Sequence, residues 1–91
     1  VKSVPITPRV SLEPDDKAQN WLLSISASDR IGLLYSIASV LAHHGLHLRL
    51  AKISTLGERV EDSFLVSGAK LQQNKAQIEI ETELLAALQA G

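Results

Sequence analysis

Three histidines are the most conspicuous residues for metal chemistry in this 91-residue chain, and they lie close together at His43, His44 and His47. Two histidines spaced i, i+4 on one continuous helix would present their ring nitrogens to the same metal ion. His43 and His47 have this spacing, but Gly45 lies between them and predicts the end of a helix there. No carboxylate lies near the three histidines in the sequence. We therefore predict histidines at a helix C-terminus, where the helix dipole favours them, and no metal site.

Other catalytic chemistry finds little support. The absence of cysteine removes disulfides, thiolate zinc ligands and a thiol nucleophile together. No serine lies in a sharp strand-to-helix turn with a histidine and an acid placed to activate it, and the five glycines are too isolated to form a phosphate-binding loop. The carboxylates occupy turn and helix positions that are typical of solvated acids. The sequence therefore predicts no catalytic residues.

One stretch has the character of a binding site, because it joins the end of a predicted strand to the start of a predicted helix. Its residues are Asp29, Arg30, Ile31, Gly32, Leu33 and Leu34. Free backbone N–H groups at a helix start, aided by the helix dipole, suit a small carboxylate. Gly32 lets a ligand approach the backbone, and Asp29 can accept hydrogen bonds from an ammonium group. Two interpretations stay open. The stretch is either a receptor for a free amino acid or a purely structural helix start, in which Asp29 caps the helix and Gly32 permits close packing.

The composition excludes whole classes of partner. Nine Lys and Arg against ten Asp and Glu leave a formal charge of −1, so no positive field is available to hold a nucleic-acid backbone. No apolar run approaches the ~20 residues that a bilayer span requires. We expect neither nucleic acid nor membrane as a partner.

The elements that must position the candidate site follow from the periodicity of apolar residues. Alternation over residues 9–12 and 21–27 predicts an antiparallel hairpin, residues 46–55 predict a strand with a bulge near residues 49–51, and residues 60–67 predict a further strand. Between the first two strands and the others, a helix capped at Ser28 or Asp29 should run to His44. Its predicted core stripe consists of Leu34, Ile37, Ala38 and Leu41. A second helix should begin at Asn74.

Asp62 is the one carboxylate that strict alternation places on an apolar face, between Val60 and Phe64. A buried carboxylate must be satisfied by a partner. Either it hydrogen-bonds the neighbouring strand around Ser54 or Thr55, which we favour, or it is a polar contact for a ligand.

The stretch Asp29-Arg30-Ile31-Gly32-Leu33-Leu34, followed by Gly45-Leu46 and Ala51-Lys52-Ile53-Ser54-Thr55, resembles the ACT domain, a ferredoxin-like module that senses small ligands. The run Gly57-Glu58-Arg59-Val60-Glu61-Asp62-Ser63-Phe64 is similar, more specifically, to the C-terminal ACT domains of bacterial enzymes that attach UMP to the PII protein and remove it. The resemblance covers about residues 4–88. Ile31 departs from it, because the family motif usually has proline at that position.

The resemblance implies an α+β fold with a four-stranded antiparallel sheet and two helices on one face. The usual module ends with a strand after its second helix, whereas this chain stops with that helix. We expect the N-terminal strand to replace the usual last strand, at the sheet edge beside residues 21–27. Residues 1–8 are then a linker, and residues 9–91 are an ACT domain from a larger multidomain enzyme.

The resemblance also implies a function. The chain would be a regulatory domain without a catalytic centre or cofactor of its own, and the loop from Asp29 to Leu34 would bind glutamine. The parent enzyme would be cytoplasmic, would carry nucleotidyltransferase and phosphodiesterase-type hydrolase centres that use Mg²⁺ or another divalent metal, and would act on PII in nitrogen regulation. A second ACT domain, in the same chain or in a dimer mate, would complete the site. The alternative is an ACT domain that dimerises or docks without a ligand. An RNA-binding module of similar topology is disfavoured, because such modules stack bases on aromatic side chains and this chain has a single Phe, Tyr and Trp.

Overall fold

A computed structural model describes residues 6–17 and 19–89 of the chain. Within these ranges the elements in chain order are β1 (Arg9–Pro14), β2 (Trp21–Ser28), α1 (Leu33–His43), β3 (His47–Lys52), β4 (Thr55–Leu56), β5 (Arg59–Ser67), a 3₁₀ turn (Ala69–Gln72) and α2 (Asn74–Gln89). The predicted linker at residues 1–8 lies mostly outside the described residues, and residues 6–8 have no regular secondary structure.

The sheet is antiparallel, with strand order β1-β2-β5-β3, and the two-residue β4 pairs with β5 beside this path. β1 therefore lies at the edge beside β2, which confirms the predicted fold in which the N-terminal strand takes the place of the usual last strand. β4 is an addition to the four predicted strands. The bulge is confirmed, because the pairing of β3 with β5 shifts register between Leu48 and Leu50.

The core lies between one face of the sheet and the two helices. Alternate residues of β2 and β5 supply the sheet side, and every fourth residue supplies the helix side. The buried apolar residues of these four elements are Trp21, Leu23, Ile25, Ala27, Val60, Phe64, Val66, Leu33, Ile37, Leu41, Ala76, Ile80, Leu84 and Leu88. Trp21 is 6% exposed and serves packing, as expected for a residue that begins the core face of its strand.

The buried stripe of α1 begins one residue earlier than predicted and leaves out two of the four predicted residues. Leu33 is buried, whereas Leu34 is 48% exposed and Ala38 is exposed as well. The predicted stripe beginning at Leu34 is therefore wrong, although Ile37 and Leu41 belong to both. An α-helix turns about 100° per residue, so Leu33 and Leu34 offer two overlapping stripes of similar hydropathy. Contact with the sheet and with α2 selects the first and leaves Leu34 outside the core.

Candidate ligand site at the first turn of the first helix

Helix α1 begins without a side-chain cap. Its N-cap residue is Gly32, in the left-handed conformation with φ of 83°. The predicted cap at Ser28 or Asp29 is therefore wrong. Leu33 N–H donates to the Arg30 carbonyl at 3.3 Å and Ser36 N–H donates to the Gly32 carbonyl at 2.9 Å. Among the described residues the N–H groups of Leu34 and Tyr35 have no acceptor. Two donors at the positive end of the helix dipole therefore remain available.

A cavity of about 460 Å³ adjoins this turn. Five of the six predicted site residues line it, together with residues from the strands below: Asp29, Arg30, Gly32, Leu33, Leu34, Tyr35, Ile53, Thr55, Val60 and Asp62. Ile31 is the exception. Its side chain is fully exposed, so the bulky residue at the usual proline position does not block the cavity. Leu34, which packing leaves outside the core, forms part of the cavity wall.

Arg30 is the lining residue whose side chain is already engaged by the protein. Its guanidinium donates from Nη2 to the Ala87 carbonyl at 2.7 Å and from Nη1 to the Ile31 carbonyl at 3.4 Å. The Ala87 carbonyl belongs to the last turn of α2, where backbone acceptors have no partner within the helix. Arg30 therefore holds the loop before α1 against the end of α2 through Nη1 and Nη2, while its buried Nε has no partner among the described residues.

Asp62 forms the floor of the same cavity and is 2% exposed. Ser54 N–H donates to its Oδ1 at 3.1 Å, which confirms the predicted bond to the neighbouring segment. Its other oxygen, Oδ2, is buried and has no hydrogen-bond partner among the described residues. Burial raises the pKa of this carboxyl; the negative charges of Asp29 and Glu61 add to the effect, and the bond from Ser54 opposes it.

A second cavity, of about 650 Å³, is lined mainly by β1, β2 and β5. Its polar side chains include Ser26, which donates to Glu61, and Glu61 also pairs with Arg59 at 3.2 Å. Ser26 and Glu61 are therefore satisfied within the protein, and Asp62 lines both cavities. The cavity at the first turn of α1 is accordingly the better candidate for a ligand.

The histidines do not assemble a metal site. His44 is buried, with Nε2 at 2.9 Å from Glu83 Oε2 and Nδ1 at 3.1 Å from Lys70 Nζ. Glu83 is distant in sequence, so the carboxylate beside the histidines was not foreseen. No group of three or more His, Cys, Asp or Glu side chains within the described ranges is arranged to hold a metal ion. His44 instead joins the end of α1 to the 3₁₀ turn and to α2.

The fold and the cavity define a class: a small α+β domain with an uncapped helix N-terminus and a buried acid in one pocket, which is suited to binding a small ligand. No family model matches the chain. The chain is 58% identical over 87 residues, 96% of its length, to a segment of the bifunctional uridylyltransferase/uridylyl-removing enzyme of Burkholderia orbicola. The corresponding enzymes of Burkholderia vietnamiensis and Burkholderia mallei are 58% and 55% identical over the same share.

The chain spans about a tenth of the length of these relatives, as expected for a domain of that enzyme. Within the described ranges, neither helix has the length and hydropathy that a membrane span requires.

Proposed function

We propose that this chain is the glutamine-sensing ACT domain of a bifunctional uridylyltransferase/uridylyl-removing enzyme. In this role it binds free glutamine at the first turn of α1 and thereby sets the balance between attaching UMP to PII and removing it in the cytoplasm. The observation that carries the proposal is the cavity beside the unpaired N–H groups of Leu34 and Tyr35. Both catalytic centres, and the divalent metal they require, belong to other parts of the parent enzyme.

The chemistry of the cavity supports an α-amino acid as the ligand. Its carboxylate fits the two unpaired amides at the helix start, because backbone donors and the helix dipole both favour an anion there. Asp29 and Asp62 supply negative charge for its ammonium group. A volume of about 460 Å³ lies within the range of small-molecule sites and exceeds the needs of one amino acid.

The exposed edge of the sheet supports the second ACT domain as a partner. All six residues of β3 are exposed, and Leu48 and Leu50 are 51% and 66% exposed. The opposite edge strand, β1, carries Glu13 and Pro14, which are typical of edges protected against further pairing. A second domain that pairs with β3 would cover these leucines and would also approach Ile53 and Thr55, which line the ligand cavity.

Amide NMR spectra of the chain, recorded during titration with glutamine to millimolar concentration, test the proposal. We expect the largest shifts at Leu34 and Tyr35, with smaller ones at Ile53 and Thr55. Glutamate and asparagine serve as controls for selectivity, and glycerol serves as a control for nonspecific solute effects. Shifts that are absent, or that are scattered over the surface away from the cavity, would contradict the proposal.

The exposed β3 edge also favours the second candidate, an ACT domain that docks or dimerises without a ligand. Analytical ultracentrifugation of the chain and of a Leu50→Lys variant separates the two functions. A docking domain should self-associate with or without glutamine, lose association in the variant and show no amide shifts on titration. A sensor should show the shifts, and association that completes the site should strengthen them.

A further inference from the structure

The carboxyl of Asp62 is the buried acid that the protein leaves half satisfied: Oδ1 accepts from Ser54, and Oδ2 joins Trp21 Nε1 and Arg30 Nε as buried polar atoms without a partner among the described residues. The side chain is 2% exposed, so bulk water is excluded from it, and within the described residues Oδ2 accepts no hydrogen bond. Buried polar atoms in folded proteins almost always have a partner, so a lone buried carboxylate oxygen needs an explanation. Such an atom is satisfied by a buried water, by its own protonation, or by a donor that arrives with a ligand.

The surroundings favour a cationic donor from a ligand. The nearby charges that raise the pKa of Asp62 are those of Asp29 and Glu61, both negative. The cationic residue of the cavity wall, Arg30, directs Nη1 and Nη2 to the carbonyls of Ile31 and Ala87. The cavity therefore combines two acids with unpaired amide donors at the helix start, and among the described residues no ion pair joins either acid to a cation.

We infer that Asp62, through Oδ2, is the specificity-determining acceptor for the ammonium group of the amino acid bound in this cavity. The inference rests on the proposed ligand site and goes beyond it, because it assigns the ammonium contact to a strand residue below the loop. Asp29 is exposed, so water competes for its charge and a bond to it gains little. Asp62 is shielded from water, and a charge pair formed there is worth far more.

The assignment has a consequence for ligand selection. A cavity that offered only the helix amides would bind any small carboxylate of suitable size. With a buried acceptor left unpaired, the cavity disfavours carboxylates that lack an ammonium group, because these ligands leave Oδ2 without a donor. Free amino acids should therefore bind well above their deaminated analogues.

Asp62→Asn tests the assignment, because asparagine keeps the Oδ1 acceptor for Ser54 and replaces Oδ2 by a donor. The probes are glutamine and glutaramate, its analogue without the ammonium group, titrated by calorimetry and NMR. We expect wild-type chain to prefer glutamine by about thirtyfold or more, and Asp62→Asn to lose this preference. The matched control, Asp29→Asn, should keep the preference and weaken glutamine binding less than about fivefold.

The outcomes separate the assignment from the proposed function. Binding of neither probe to the wild-type chain overturns both. If glutamine binds and Asp62→Asn keeps the preference, or loses both probes equally, the assignment fails and the glutamine site stands.

A measurement without a variant covers the case in which Asp62→Asn does not fold. In wild-type chain with carbon-labelled aspartate, glutamine should move the Asp62 titration to lower pH and glutaramate should not, since an ammonium group favours the ionised carboxylate. An Asp62 titration that responds equally to both probes overturns the assignment.

Discussion

Gly32 and Gly57 form a matched pair for testing the site. Both adopt the left-handed conformation, with φ of 83° and 66°. A Cβ at either position would meet no non-neighbouring atom of the described residues within 4 Å, so alanine adds no clash at either one. The left-handed conformation costs an L-residue ~1–2 kcal/mol, and the restricted unfolded chain returns ~0.4–1 kcal/mol. Each Gly→Ala change should therefore lower the free energy of unfolding by about 1 kcal/mol, or ~4–8 °C in Tm.

The two substitutions should differ in ligand binding. Gly32 lines the cavity beside the unpaired amides, whereas Gly57 lies in the turn between β4 and β5. The methyl group of Gly32→Ala enters the space through which a carboxylate approaches the helix start. A hydrogen bond to a charged group contributes ~1.5–3 kcal/mol, so its loss weakens glutamine binding roughly tenfold to a hundredfold. Gly57→Ala should bind glutamine as wild type does.

Scanning calorimetry measures the two changes in Tm, and isothermal titration with glutamine measures the two affinities. The comparison refutes the reasoning if Gly32→Ala keeps wild-type affinity, because the backbone approach would then be unnecessary. It also refutes the reasoning if both variants lose affinity in proportion to their loss of Tm, because binding would then follow stability rather than the local geometry at Gly32.

Three further predictions concern the core and the buried polar groups. Leu84→Ala should lower the free energy of unfolding by about 2–5 kcal/mol in urea, whereas the 65% exposed Ile78→Ala should change it by less than about 0.5 kcal/mol; equal effects would contradict the core assignment. Because burial raises the folded-state pKa of Asp62 above its ordinary 3.8, the associated stability is present below that value and is lost as pH rises through the raised pKa. The Tm of Asp62→Asn relative to wild type should therefore rise as the pH is raised above about 4, and a constant difference would argue against a buried ionisable Asp62. The Lys70 ammonium group can only donate, so His44 Nδ1 must accept from it and the imidazole hydrogen should lie on Nε2, which faces Glu83. Long-range nitrogen–proton NMR that shows an Nδ1–H tautomer would contradict this network.

The strands illustrate what periodicity alone can predict. The alternation from Trp21 to Ala27 decided which face of β2 is buried, because successive side chains of a strand point to opposite faces. Slipped parity near Arg49 likewise predicted the bulge in β3. The position of β1 beside β2 followed from the alternation over residues 9–12 and 21–27 and from the resemblance to a known module. These features depend on neighbours in sequence, or on a topology that is already familiar.

The helix phase required the tertiary structure. Leu33 and Leu34 both begin acceptable apolar stripes, and only packing of α1 against the sheet and α2 distinguishes them. The same is true of the link between His44 and Glu83, which are 39 residues apart. The local sequence does not contain the energy of such contacts, because each of them depends on elements that meet only in the folded chain.

The candidate site divides in the same way. By itself, the sequence determined the loop, its glycine and the helix that follows, since turn chemistry and helix termini are local properties. Only the tertiary structure decided that Arg30 turns to Ala87, that Ile31 leaves the cavity, and that one oxygen of Asp62 finds no partner among the described residues. The physical reason is that burial and the pairing of polar groups are properties of the assembled layers, in which residues distant along the chain exclude water together.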